Sequence, residues 1–216
     1  MGSGNADHHG LGCWSETSRA ATQGSGEPGG GSGRSEISQK YFYNLRNIFF
    51  QVWGQSRTSS RILATCQCNA GFVPGGGTYA MEAVARQFAR GQDVLVVRNG
   101  WFSYRWSQII ESADLTKSAE VMKARMQGNT SPAPFAPAPI KEVTAAIREG
   151  KPQVVFAPHV ETSSGMILPD DYIKEMAAAA HEVGALMVLD CIASGCVWVD
   201  MKALGVDVLI SAPQKG

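Results

Sequence analysis

The chain has 216 residues, with 19 basic and 19 acidic side chains and a formal net charge of zero. That size allows one large domain or one and a half small ones, and the charge balance argues against nucleic acid or an anionic membrane surface as the main partner. The longest apolar runs, such as residues 185–191, are strand-length and fall short of the roughly 18 residues of a spanning helix.

Residues 1–35 are rich in Gly and Ser and poor in aliphatics, so they are expected to form a disordered tail. They lack the apolar segment of a secretory signal. His8 and His9 read as a solvated pair in that tail, not as metal ligands. The five cysteines (Cys13, Cys66, Cys68, Cys191, Cys196) are odd in number and show no disulfide or zinc spacing. A reduced intracellular setting is expected, with cytoplasm and peroxisome both left open, and no metal site is expected.

Residues 36–73 form a second segment of mixed character. "YFYNLRNIFFQVW" (41–53) is apolar at helical spacing, "GQSRTSSR" (54–61) is a loop, and "ILATCQCNAGFV" (62–73) is strand-like but irregular. From Pro74 to Gly216 the pattern becomes regular. Helices are predicted over 78–90, with Ala80, Val84 and Phe88 on one face, and over 102–112, 140–150 and 170–184. Gly91 and Gly184 are candidate C-caps. Strands are predicted over 93–99, 153–160, 185–191 and 206–212, with an extended Pro/Ala connector at 131–139. Strands alternating with helices predict an α/β fold with a mainly parallel sheet flanked by helices.

Ligands of open α/β sheets bind beyond the carboxyl ends of the strands, and four segments matter there. "PGGGTYAMEA" (74–83) leads three glycines into a helix, where free amides and the helix dipole suit a phosphate, although a tight turn would use the same residues. Gly75, Gly77 and Ala80 also imitate a dinucleotide fingerprint. That reading needs an acidic residue at the end of the next strand, where Arg98 and Asn99 stand instead. "HVETSSG" (159–165) follows an apolar strand with a His, a Glu and three hydroxyls, and reads equally as a polar loop. Asp190 closes the strand "ALMVLD", where a carboxylate needs a cationic or hydrogen-bonding partner. Lys215 follows the strand "VDVLISA" and could join an aldehyde cofactor if neighbours and partial burial lower its pKa.

Taken in order, "PGGGTYAMEA", "NGWF", "HVETSSG", "VLDCIAS" and "SAPQKG" resemble the class V aminotransferases, the alanine–glyoxylate and serine–glyoxylate group of the fold type I enzymes. The resemblance runs from about Pro74 to Gly216. It implies the large domain of a homodimeric, pyridoxal 5′-phosphate-dependent transaminase acting on a small amino acid and a 2-oxo acid. It places the cofactor phosphate at Gly76, Gly77 and Thr78, with Gln214 on the phosphate side. Phe102 is implied as the ring-stacking residue, Thr162 as the hydroxyl at the phenolic oxygen, and Ile192 as the apolar residue behind the ring. Asp190 is implied as the partner of the ring nitrogen, and Lys215 as the Schiff-base lysine. Cysteine desulfurases share the class but resemble each other in a His before the lysine, where this chain has Gln214. Family members continue into a C-terminal domain carrying a carboxylate-binding arginine. The chain as given is therefore expected to be a fragment that binds cofactor weakly and turns over little.

Overall fold

The structure, a computed structural model, describes residues 48–52 and 69–215, apart from residues 130, 196, 213 and 214. The expected tail at 1–35, His8, His9, the loop at 54–61 and Gln214 lie outside the described residues. Of two units along the chain, residues 1–42 and 43–216, every described residue belongs to the second.

Seven strands form one sheet in the order β2-β1-β11-β10-β7-β3-β4, every neighbouring pair parallel. They are β1 (Ile48–Val52), β2 (Asn69–Val73), β3 (Asp93–Arg98), β4 (Ser118–Lys123), β7 (Val154–Pro158), β10 (Leu186–Asp190) and β11 (Val208–Ser211). Two small antiparallel pairs stand apart from the sheet. One joins β5 (Arg125–Met126) to β6 (Phe135–Ala136), and the other joins β8 (Val160–Glu161) to β9 (Met166–Ile167). The helices are α1 (Gly77–Phe88), α2 (Trp101–Ser112), α3 (Ile140–Gly150) and α4 (Asp170–Glu182).

The central strands are apolar along their whole length because both faces of the sheet are covered. Leu95, Val97, Val155, Ala157, Met187, Leu189 and Leu209 join one core with Val143 and Ile147 of α3 and Ile173, Met176 and Ala180 of α4. The alternate residues, among them Val94, Val96, Phe156 and Val188, are equally buried and point to the opposite face, since successive strand side chains alternate. There Trp106 of α2 stacks on Phe156 with ring centroids 4.4 Å apart. Such a pair adds about 0.5–1.5 kcal/mol beyond the area it buries.

The predicted helices form with small shifts at their ends. Ala80, Val84 and Phe88 are buried together on α1, and Gly91 and Gly184 take the left-handed φ of C-terminal turns, +68° and +79°. Three expectations change. The helical spacing at 41–53 gives a strand at Ile48–Val52: five residues of an apolar run fit either period, and pairing with β2 and β11 decides the outcome. The strand predicted over 153–160 stops at Pro158, and Val160–Glu161 turns aside to pair with Met166–Ile167. Strand β4 was not expected, because its residues are mostly exposed at the sheet edge and carry no apolar run.

Candidate active site

Because all seven strands run in parallel, their carboxyl ends share one edge. Asp190 ends β10 there, in register with Pro158 of β7 and Ile210 of β11. It is 6% exposed. Its Oδ1 accepts the Ile192 N–H at 3.0 Å, and no cation pairs with it among the described residues. Burial pushes its carboxyl up to about 7; the Ile192 N–H works against the rise and the charge of Glu161 adds to it.

Ile192 also links Asp190 to the glycine loop. A Cβ on Gly77 would stand 2.7 Å from Ile192 Cδ1, so the side chain of Ile192 lies directly against the first turn of α1. That turn is open. Its N-cap, Gly76, has no side chain to offer, Gly76 and Thr78 are exposed, and the Tyr79 N–H is taken by the Gly76 carbonyl at 2.9 Å. Gly75 adopts φ +135°, a conformation that favours glycine.

The N-terminus of α2 is the opposite case. The Glu161 carboxylate closes it: Oε1 accepts the Phe102 N–H at 3.1 Å, and Oε2 accepts the Ser103 N–H at 2.8 Å and the Ser103 hydroxyl at 2.7 Å. The Ser163 hydroxyl donates to Glu161 Oε1 and accepts the Trp101 N–H at 2.8 Å. Burial raises the carboxyl of Glu161, but the hydrogen bonds from Ser163, Ser103 and Phe102 outweigh it and hold the group below its ordinary range. Thr162 lies between these two anchors and is exposed. Phe102 is 49% exposed.

His159, just past β7, is buried, with Nδ1 2.7 Å from Ser194 Oγ and its backbone N–H on the Asp190 carbonyl at 2.9 Å. Burial lowers its pKa against the pull of Asp170, which keeps the ring neutral near pH 7. It braces the loop that follows Asp190.

Lys215 is exposed, with its N–H on the Ala212 carbonyl at 3.0 Å. The partial burial expected for it is therefore not met by the described residues. Its carbonyl lies 3.0 Å from where a Cβ on Gly195 would stand, so the loop after Asp190 and the segment after β11 touch. The structure thus joins Gly77, Ile192 and Asp190 by direct contact, and Phe102 to Thr162 through Glu161 and Ser163. The sequence reading missed Gly100, Ser103, Glu161 and Ser163 as a cluster, although "NGWF" and "HVETSSG" contain or adjoin all four.

Residues 62–216 match the family model described as aminotransferase class V. The chain belongs to the class V aminotransferases. Pyridoxal 5′-phosphate is the cofactor of this family. The chain is 30% identical over 170 residues to a soluble hydrogenase small subunit of Synechococcus, covering 78% of this chain and 42% of that protein. It is 29% identical to an L-aspartate–glyoxylate aminotransferase of Paracoccus denitrificans, over 72% of this chain and 38% of the relative. It is 30% identical to the alanine–glyoxylate aminotransferase of rat, over 66% of this chain and 32% of the relative. The chain thus spans about two fifths or less of the length of these relatives. Among solved structures, an alanine–glyoxylate aminotransferase from Nostoc superposes with a TM-score of 0.51 at 25% identity, over 63% of this chain and 33% of that one. A pyridoxamine–pyruvate aminotransferase from Mesorhizobium loti superposes with 0.53 at 14% identity, over 82% and 40%, a likeness of fold alone.

This class V aminotransferase chain fits the cofactor's charges. The open helix start at Gly76–Thr78 offers amides to a phosphate, and the unpaired buried carboxylate of Asp190 suits a protonated ring nitrogen. The dinucleotide reading of Gly75, Gly77 and Ala80 falls away with the family match, and β3 indeed ends at Arg98.

Proposed function

We propose that this chain forms the cofactor-binding part of a transaminase that moves the amino group of a small amino acid, alanine or serine, to a 2-oxo acid such as glyoxylate. The working form is a homodimer of the full-length protein. The observation that carries the reading is Asp190: a buried carboxylate at the ligand edge of the sheet, without a cation among the described residues, tied through Ile192 to the open start of α1. The glyoxylate aminotransferases among its relatives support the choice of substrates.

When bound, the cofactor supplies a ring that withdraws electrons from the substrate Cα. The chain does the rest. The amides of Gly77 and Thr78 at the positive end of α1, with Gly76, bind the phosphate, and Gln214 assists there. The Asp190 carboxylate holds a proton on the ring nitrogen, with its own Oδ1 fixed by the Ile192 N–H. Phe102 would offer an aromatic face, Ile192 an apolar side chain behind the ring, and Thr162 a hydroxyl to the phenolic oxygen. Lys215 Nζ would hold the cofactor through its aldehyde carbon and, once the substrate amine displaces it there, the freed amine would carry the Cα proton as general base and acid.

The test is borohydride reduction of the chain in the presence of pyridoxal 5′-phosphate, followed by peptide mapping. Label at Lys215 supports the reading. Label scattered over exposed lysines with none at Lys215 refutes it.

A further inference from the structure

We propose that Glu161 is a positioning residue that sets the Phe102 ring and Thr162 against the cofactor by anchoring the first turn of α2. The inference rests on the functional reading above, because these two side chains need fixing only if a cofactor lies against them.

The geometry begins with what Phe102 lacks. Half of its side chain is exposed, so the surrounding core does not hold the ring. Its place depends on its backbone, and that backbone is held from outside the helix. Glu161 is 1% exposed, and both of its oxygens are engaged with α2. The contact joins residues 58 apart in sequence. It exists because Gly100 has no side chain: a Cβ there would stand 2.7 Å from Glu161 Cγ and 2.8 Å from Cδ. Gly100 has φ 174°, which any residue can adopt, so the glycine serves space and not conformation. Ser103 completes the clamp by accepting the N–H groups of Asn99 at 2.8 Å and Gly100 at 3.0 Å.

The same clamp orients the other side of the site. Glu161 and Ser163 both turn toward α2, which leaves Thr162 between them facing outward. Thr162 and Phe102 therefore share one anchor, and a shift of the carboxylate displaces both.

The test uses Glu161→Gln, Glu161→Ala and Ser163→Ala in the whole chain. It has two readouts: amide hydrogen exchange, and the visible circular dichroism of bound pyridoxal 5′-phosphate, which reports the orientation of its ring. In Glu161→Gln an amide NH₂ replaces one acceptor and meets donors of α2. Exchange at Phe102 and Ser103 is expected to rise about tenfold or more, with the core amides of Val96 and Leu189 unchanged. The dichroic band is expected to lose about half its intensity or more, while the cofactor Kd rises no more than about threefold, because the phosphate site on α1 is untouched. Glu161→Ala should exceed Glu161→Gln in both readouts. Ser163→Ala, at an exposed position, should raise exchange at Trp101 and weaken the dichroism; it carries the test if either Glu161 variant fails to fold. Unchanged exchange at Phe102 and Ser103 overturns the proposal. So does faster exchange with an unchanged dichroic band, which would make Glu161 a helix cap and nothing more. Absence of any dichroic signal at saturating pyridoxal 5′-phosphate, together with no borohydride label at Lys215, refutes the functional reading instead, and exchange then decides the anchor on its own.

Discussion

Replacing Asp190 by Asn tests whether the carboxylate is buried and waiting for a cation. The substitution keeps the shape and keeps an oxygen for the Ile192 N–H. It removes only the charge. Burial moves the carboxyl from 3.8 to about 7 in the folded chain. At 1.36 kcal/mol per pKa unit, that displacement corresponds to about 4 kcal/mol. The sign follows from which state holds more protons. Between about pH 4 and pH 7 the folded chain keeps this proton and the unfolded chain has lost it, so stability falls as pH rises through that window and levels off above it. Asp190→Asn has no such loss. The variant should match wild type near pH 4 and exceed it by up to about 4 kcal/mol at pH 8. Glu161 acts in the reverse direction, since its folded pKa is lowered and its contribution fades as pH falls. Its own titration is present in both proteins, and its charge enters the difference only through the part of the Asp190 rise that it causes. Urea denaturation of both proteins from pH 4 to pH 8 measures that difference. A gap that stays constant across the range would refute the reasoning, because Asp190 would then be solvated or already paired.

The remaining predictions concern packing around the same edge. Gly77→Ala pushes a methyl to 2.7 Å from Ile192 Cδ1 and should destabilise the chain by about 1–3 kcal/mol, with Ile192→Ala in the same chain restoring most of it. Additive losses in the double variant, by chemical denaturation, would show that the two residues do not share this contact. Phe156→Ala removes the partner of Trp106 from the α1–α2 face of the sheet and should cost about 3–5 kcal/mol, measured the same way; a loss under about 1 kcal/mol would place that pair outside the core.

The central strands were legible because burial on both faces forces an unbroken apolar run, as in "DVLVVR" and "LMVLD". Asp190 was legible for the same reason: a lone charge at the end of such a run is conspicuous. Strand β4 was not, since "SAEVMK" lies at the sheet edge with most of its residues exposed and needs no apolar pattern. Strand β1 misled because "IFFQV" suits a helix as well as a strand, and only its neighbours β2 and β11 settle the choice. The Glu161 clamp was invisible for another reason. Its parts sit in two segments 58 residues apart, and what joins them is the missing Cβ of Gly100, which in sequence is one glycine among 24.

Two buried carboxylates at one sheet edge shift in opposite directions, and the cause is the number of donors each receives. Glu161 accepts from Phe102, from Ser163 and twice from Ser103, and it stays ionised. Asp190 accepts one N–H, from Ile192, and burial wins. The helix starts divide in the same way. That of α2 is closed by the protein's own anion, so it has no capacity left for a phosphate. Among the described residues, that of α1 is closed by nothing but the Gly76 backbone. On the function proposed above, a group with an anionic end and a cationic end would set its anion at Gly77 and its cation at Asp190. The Ile192 side chain, which touches the first turn of α1, and the Ile192 N–H, which touches Asp190, belong to one residue. The spacing between the two charges is thus set within a single short stretch of backbone. Glu161 contributes to it indirectly: by satisfying α2 it leaves α1 as the open helix start of the two, and by its charge it adds to the demand of Asp190 for a proton.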